Sequence, residues 1–275
     1  MTWKAVVDRD DFTQPIDGPL VVTRASCDAY VGGTLAPDIQ AEIDKLLWAD
    51  AVIFSFPLWW YSMPAILKGW FDRVFVQGFA YDVKDPDGPR RTLRYGEGNL
   101  AGKRALVLVS CGSNEFAVSP RGVSGQLEEV LFPLLHGSLF YTGMEVLPPV
   151  CIHDADAVDD AGYRQARSCV RAALLQIETR APIPYRYQYR GDYTRGLCAT
   201  TSCPARPGWA STATRCASCP ADASVDGRPP RPPSPIPENR SCISPESSAT
   251  TTRRAPTSTS AATRSASSSF STTAR

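Results

Sequence analysis

Long apolar runs are the feature that this sequence of 275 residues most clearly lacks. No stretch approaches the roughly 20 consecutive apolar residues that a membrane-spanning helix needs. The start also lacks an apolar signal segment, because Met1 to Lys4 is followed at once by Asp8, Asp10 and Asp11. We therefore expect a cytoplasmic protein with no membrane span.

Ligand spacing typical of a metal site is missing as well. The cysteines before residue 195 are Cys27, Cys111, Cys151 and Cys169, and free buried cysteine is the expected state for each. His153 is followed by Asp154 and Asp156, but a third ligand at a suitable spacing is absent. Cys216 and Cys219 form one CxxC pair without a second pair. We expect no metal.

The last part of the chain lacks lysine and has almost no aromatic residues. From Arg195 to Arg275 there are 10 Arg and 4 acidic residues, a net charge of +6, and the aromatic residues are Trp209 and Phe270. The preceding residues hold 19 basic and 24 acidic side chains. A Ser-, Thr-, Ala-, Arg- and Pro-rich segment buries too little apolar surface to offset chain entropy. We predict a domain over residues 1–194 and a disordered low-complexity tail over residues 195–275.

One stretch between residues 49 and 75 organises the globular part. Residues 51–56 form a short β-branched and aromatic run that stops at Pro57, which predicts a buried strand. Pro64 then stands at a position suited to a helix start. Apolar residues follow it at helical spacing: Ile66, Leu67, Trp70, Phe71 and Val74. The unit is a strand, an aromatic loop and a helix.

The loop of this unit, residues 58–63, carries large apolar side chains where a connection is normally polar. In open α/β sheets ligands bind beyond the carboxyl ends of the strands, which is where this loop falls. From the residues alone two interpretations stay open. Either Trp59, Trp60 and Tyr61 cover a flat ligand, or they pad a sheet edge or a subunit interface.

The other predicted elements are two strands and three helices. Residues 104–109 form a second buried strand, and residues 144–152 form a third, whose prolines suggest an edge or a strand end. Helices are predicted at residues 38–48 and 159–177, and the inward-facing residues of the latter are Tyr163, Ala166, Val170, Leu174 and Ile177. A further helix from Leu127 is kinked at Pro133, and the lone His136 within it is interpreted as a packed or surface residue rather than a ligand. Residues 3–30 and 83–100 read as irregular.

Several of these motifs together resemble one family. FPLWWYSMPAILKGWFDRVF followed by GFAYD is similar to a segment of the flavodoxin-like NAD(P)H dehydrogenase (quinone) family, the DT-diaphorase type. The likeness resumes in Pro120-Arg121-Gly122, in LFPLLHG and in TGMEVLPP, and covers Trp3 to about Thr194. The resemblance implies an α/β fold, with a flavodoxin-like parallel sheet and flanking helices. It also implies a homodimeric oxidoreductase without a nucleic-acid partner, which uses FAD or FMN to pass hydride in ping-pong fashion from NAD(P)H to a quinone or similar small electrophile.

The resemblance assigns site residues too. Those expected to border the flavin are Pro57, Leu58, Trp60, Tyr61, Ser110, Cys111, Gly112, Ser113 and Val118. Ser124, Tyr81 and Tyr141 are the catalytic candidates, the two tyrosines walling the acceptor pocket from a second subunit. The family's catalytic Tyr and His fall on Val118 and Ser124. Valine cannot donate a proton and serine is no general acid near neutral pH, so we expect a slower or differently proton-coupled reaction.

The likeness begins inside the family fold. WKAVVDRDDF resembles the segment after the family's second strand, and relatives carry before it about 45 residues that include a phosphate-binding loop. We therefore expect a fold that lacks the first two strands, leaves the strand at residues 51–56 as an exposed edge, and holds the flavin phosphate poorly. The alternative to an enzyme is an inactive fragment or a flavin-free interaction module of the same fold.

The tail is interpreted as out of frame from about Thr194. Arg greatly exceeds Lys, as in a GC-rich gene, and reading Leu197 to Thr212 one base earlier permits LRDHLLPGQAGLGIH, which resembles the family's C-terminal continuation. The alternatives are a genuine disordered Ser/Arg/Pro tail or a nucleic-acid arm.

Overall fold

A parallel sheet lies at the centre of the computed structural model, which describes residues 3–190 and 193, all within the unit Met1–Cys242. The strands are β1 (Ala51–Pro57), β2 (Val83–Asp85), β3 (Gly88–Leu93), β4 (Arg104–Ser110), β5 (Glu145–Val146) and β6 (Val150–Ile152). The helices are α1 (Val22–Gly32), α2 (Pro37–Trp48), α3 (Ala65–Val74), α4 (Leu127–Val130), α5 (Phe132–Leu134) and α6 (Asp160–Leu175), with a 3-10 turn at Arg9–Asp11 and a π-helical segment at Leu135–Phe140.

The central strand of the sheet is β4, which pairs in parallel with β1 on one side and with β5 and β6 on the other. The predicted strand at residues 144–152 is therefore divided into β5 and β6. Pro148 and Pro149 divide it because proline has no N–H to donate to the ladder. In the described part of the chain β1 pairs with β4 alone, and Ile53 is 45% exposed, as expected of an edge strand.

The two faces of the sheet are covered by different helices, because successive strand residues point to opposite faces. Val107 and Val109 face the main core with Phe54 and α3, whereas Leu106 packs in a smaller cluster with Ala173 of α6. Flanking helices on both faces confirm the predicted α/β fold. Two of the five inward positions predicted for the last helix are wrong, since Tyr163 is 62% exposed and Leu174 is 39% exposed, whereas the other three are partly buried.

Ionic contacts of the buried Arg73 anchor the first residues against α3. The Arg73 guanidinium donates to Asp11 and to Asp38, both at 2.9 Å, and lies 4.3 Å from the centre of the Trp3 ring. Gly69 lets the backbone of Ala5 approach, since a Cβ at Gly69 would lie 2.3 Å from the Ala5 Cα. The segment before β1 is thus held by specific contacts.

Two elements depart from the sequence expectation. Residues 22–32 form α1 and residues 83–93 form the antiparallel hairpin of β2 and β3, although both stretches were expected to be irregular. The predicted kink at Pro133 is confirmed, because the helical segment is broken into α4, α5 and the π-helical segment. Within the described residues no helix combines the length and apolar character that crossing a membrane requires. The predicted tail at residues 195–275 lies outside the described residues.

The cysteines also differ from one another. Cys27 is disulfide-bonded, so the expectation of a free thiol is wrong there, and the free Cys169 is exposed rather than buried. Cys111 is free and buried, and Cys151 is free and half-buried.

Candidate functional site

A tight turn after β1 holds the aromatic loop. The Leu58 N–H donates to the Ser110 carbonyl at 2.7 Å, which extends the pairing of β1 with β4 by one residue. Trp59 and Ser62 then exchange two backbone hydrogen bonds of 3.0 and 2.9 Å. Between them Trp60 and Tyr61 have φ angles of 50° and 59°, a left-handed conformation that is strained for residues other than glycine. The strained turn leaves Trp60 96% exposed and Tyr61 58% exposed.

A slot lies between this turn and the loop after β4. It consists of two adjoining cavities of about 300 Å³ and about 240 Å³, which share Leu58, Trp60, Cys111 and Gly112. The slot lies at the carboxyl ends of two neighbouring parallel strands, where ligands bind in such sheets. All nine residues expected to border a flavin line it: Pro57, Leu58, Trp60, Tyr61, Ser110, Cys111, Gly112, Ser113 and Val118. Ser124 lines the smaller cavity and Trp59 the larger one.

The loop after β4 offers free backbone donors at only part of its length. The Cys111 N–H donates to the Ile152 carbonyl at 2.9 Å, so this amide is not available to a ligand. The Gly112 and Ser113 N–H groups have no acceptor among the described residues. Gly112 is also needed for shape, because a Cβ there would lie 2.6 Å from Oδ2 of Asp156. Backbone N–H groups are therefore available to a ligand at Gly112 and Ser113, not at Cys111.

A second loop closes the smaller cavity and places Val118 and Ser124 on it. Within this loop the Ser124 N–H donates to the Ala117 carbonyl at 3.0 Å. Gly122 lies so close to the same carbonyl that a Cβ would stand 2.2 Å from it. The Ser124 hydroxyl then lies 3.2 Å from the Tyr61 hydroxyl. The loop thus brings a second hydroxyl to the aromatic turn.

A larger cavity of about 450 Å³ lies between α3 and the segment from α4 to the π-helical turn. Tyr81 and Tyr141 both line it, and Tyr61 borders it as well as the slot. Burial raises the pKa of Tyr81, which therefore keeps its proton at neutral pH. Ser26 of α1 also lines this cavity, and sequence reasoning missed it because α1 itself was not predicted.

His136 is a packed residue, which is one of the two alternatives that the sequence left open. Its ring stacks on Phe132 at 4.7 Å and on Tyr95 at 4.9 Å between ring centres. Burial lowers the pKa of His136 to about 4, so its imidazole is neutral at physiological pH. It lies outside the slot.

Comparisons with known proteins agree with this architecture. Residues 1–174 match the family model described as flavodoxin-like fold. A ribosyldihydronicotinamide dehydrogenase-like protein of Penicillium crustosum is 47% identical over 195 residues, which are 70% of this chain and 72% of that protein. NAD(P)H dehydrogenase [quinone] 1 of Rattus norvegicus is 38% identical over 146 residues, 53% of this chain and 47% of that enzyme.

Among solved structures, a Klebsiella pneumoniae protein that is provisionally identified as a quinone reductase aligns with a TM-score of 0.72 at 42% identity. The alignment covers 77% of this chain and 83% of that one. The chain thus spans most of the fungal and bacterial relatives but just under half of the rat enzyme.

Proposed function

This chain belongs to the flavodoxin-like fold family, and we propose that it is a flavin-dependent NAD(P)H:quinone oxidoreductase. Relatives that carry quinone reductase names support the reaction class, and the slot beside Trp60 and Tyr61 is the observation that carries the proposal. The alternative, an inactive fragment or a flavin-free interaction module, is not favoured by any contact in the described residues.

The residues of the slot fit a flat aromatic cofactor. Two aromatic side chains stand on one side, and the small residues Gly112 and Ser113 stand on the other, with N–H donors that no described residue accepts from. A planar ring with polar edges matches an aromatic wall opposite backbone donors. A bound flavin supplies the two-electron hydride chemistry. The choice between FAD and FMN stays open in this proposal.

Proton handling in the slot falls to hydroxyl groups. Val118 occupies one candidate catalytic position and contributes only an apolar surface. Ser124 occupies the other, and its hydroxyl shares a hydrogen bond with Tyr61. A pair of hydroxyls can relay a proton to solvent but is a poor general acid near neutral pH. We therefore propose slow, weakly pH-dependent turnover.

The larger cavity is the proposed place for the acceptor. Tyr81 and Tyr141 present hydroxyl groups there, and phenol O–H groups donate well to quinone oxygens. Because the pKa of Tyr81 is raised, its hydroxyl remains a donor throughout the physiological range. Tyr61 borders both spaces, so an acceptor in this cavity lies next to the slot.

A homodimer is part of the proposal. Exposed apolar side chains stand on the turn and on the loop that border the slot: Trp60, Phe116 and Val123, the first and last each 96% exposed. A patch of this kind at a site calls for cover by another surface. A second copy of the chain would supply that cover, and sedimentation analysis of the purified protein tests it.

The direct test is the colour and activity of the purified full chain. We expect the visible spectrum of oxidised flavin at about one equivalent per chain, and oxidation of NADH, NADPH or ribosyldihydronicotinamide that depends on a quinone. Released flavin is identified as FAD or FMN by mass. Trp60→Ala is expected to lose most of the flavin, whereas Trp48→Ala, which alters a tryptophan that is 85% exposed at the end of α2, serves as the matched control. A colourless protein that added flavin does not stabilise would contradict the proposal.

A further inference from the structure

Three potential metal ligands meet at the carboxyl ends of β4 and β6. The Sγ atoms of Cys111 and Cys151 are 3.4 Å apart, and each lies 3.7 Å from Nδ1 of His153. Their positions in the sequence give no hint of this, since Cys111 follows β4 while Cys151 and His153 stand in and after β6. Parallel pairing of the two strands brings the three side chains together.

The spacing of the three atoms fits a tetrahedral zinc site. Zinc lies about 2.3 Å from thiolate sulfur and about 2.0–2.1 Å from imidazole nitrogen. At a tetrahedral angle these bonds place two sulfurs about 3.8 Å apart and a sulfur and a nitrogen about 3.6 Å apart. The observed edges of 3.4, 3.7 and 3.7 Å lie within a few tenths of an ångström of these values.

Backbone hydrogen bonds fix the three ligands before any ion binds. The Cys111 N–H donates to the Ile152 carbonyl at 2.9 Å, and the Ala155 N–H donates to the Cys111 carbonyl at 2.9 Å. The Asp154 N–H donates to the Ser113 carbonyl at 3.1 Å. Hydrogen bonds thus join the loop after β4 to the end of β6 and to the loop that follows β6, on both sides of the cluster. A preformed cluster loses little conformational freedom when it binds a metal.

From this geometry we propose that Cys111, Cys151 and His153 form a binding site for a thiophilic d¹⁰ metal ion, Zn²⁺ in the first instance. A set of two thiolates and one imidazole binds such ions in preference to Mg²⁺ or Ca²⁺. In the described part of the chain no further His, Cys, Asp or Glu joins the three, so water takes the fourth position. Binding releases the two thiol protons to solvent and ties the loop after β4 to the end of β6.

The test is a titration of the full chain with Co²⁺, which has visible absorption that Zn²⁺ lacks, followed by displacement with Zn²⁺. Every form carries Cys216→Ser and Cys219→Ser, so that the CxxC pair outside the described residues adds no site. We expect one Co²⁺ per chain with thiolate charge-transfer absorption, which Zn²⁺ removes. At 100 times its dissociation constant Zn²⁺ should raise the melting temperature by roughly 5–10 °C.

Three variants make the test specific. Cys151→Val keeps an apolar, strand-compatible side chain in β6, and His153→Gln changes a half-buried loop residue. Each should weaken Co²⁺ binding by about 100-fold or more, with unchanged circular dichroism in the absence of metal. Cys169→Ser removes an exposed thiol and should bind as the parent does. Equal binding by the parent and by His153→Gln, the absence of thiolate absorption, or a Cys111–Cys151 disulfide that persists in reductant would overturn the proposal.

Discussion

β1 and the turn that follows it carry the same kinds of side chain in opposite surroundings. Phe54 and Phe56 of β1 are 5% and 6% exposed, whereas Trp60 and Tyr61 are 96% and 58% exposed. Phe54 packs against Trp70 and Phe71, with ring centres 5.9 and 5.3 Å away. The difference teaches that residue type does not decide the role of an aromatic ring here. Position relative to the end of the strand decides it, because Phe54 inside the strand packs against α3 whereas the side chains beyond the strand's end are exposed.

The largest effect on stability is expected inside the strand. Phe54→Ala removes a buried ring between Trp70 and Phe71 and leaves a cavity, which should lower the free energy of unfolding by about 3–5 kcal/mol. Urea denaturation of the purified protein measures the loss. A loss no larger than that of Trp60→Ala would remove the distinction between the two regions.

A pH-dependent effect on stability is expected from His136, whose ring packs against Phe132 and Tyr95. His136 has a pKa of about 4 in the folded protein and an ordinary value near 6.5 when unfolded. Between about pH 4 and pH 6.5 this imidazole is therefore mostly neutral in the folded protein and mostly protonated in the unfolded chain. The stability associated with the neutral ring is complete above about pH 6.5 and falls as the pH drops towards 4, by up to about 3 kcal/mol.

His136→Phe should flatten this part of the pH profile. It also removes the Nε2 atom, which is buried and has no hydrogen-bond partner in the described part of the chain. Unfolding midpoints measured from pH 7 to pH 4 for both proteins give the comparison. Parallel curves would show that His136 titrates normally and is not packed as described.

A smaller, local effect is expected in the loop that carries Ser124. Gly122→Ala places a methyl group 2.2 Å from the Ala117 carbonyl, so the backbone of the loop must move. We expect a cost of about 1–2 kcal/mol, together with weaker flavin retention, because the Tyr61–Ser124 contact is lost. Gly137→Ala is the control, since a Cβ there meets nothing within 4 Å. If the two variants retained equal amounts of flavin, the conformation of this loop would not affect flavin binding in the slot.

The smallest effect is expected at the exposed turn, and its sign is opposite to that of Phe54→Ala. Trp60→Gly relieves the left-handed backbone strain and removes a ring that is 96% exposed. Gain from the relieved strain is partly offset by the greater freedom of glycine in the unfolded chain, so the flavin-free protein should gain between 0 and about 1 kcal/mol. Flavin binding should be lost at the same time. A destabilised protein that still retains flavin would reverse this interpretation of the turn.

Regular elements were predictable where one local signal dominated. The strands at residues 51–56 and 104–109 fall within β1 and β4, because short β-branched runs bounded by proline or small residues have few alternatives. α1 was missed because Val21 provides no side-chain cap and the stretch before it is rich in Asp, Pro and Gly. It is held instead by burial of residues such as Cys27 and Ala29, a tertiary contribution.

The candidate site also has a part that the sequence predicted and a part that it could not. The resemblance of the aromatic loop and of the Ser110–Ser113 segment to one family brought nine slot residues into a single prediction, and the structure gathers all nine around one slot. Their roles stay predictions until flavin binding is measured. The use of the Cys111 amide by Ile152 could not be foreseen, because that bond depends on where β6 ends relative to β4.

By itself the sequence determined the family, the parallel sheet and the place of the aromatic loop at the end of a strand. These depend on apolar patterning and on motifs that are contiguous along the chain. Only the tertiary structure decided that Tyr61 meets Ser124 and that Cys111 meets Cys151 and His153. The side chains of each group come from separate segments of the chain, and only strand register and loop packing set the distances between them.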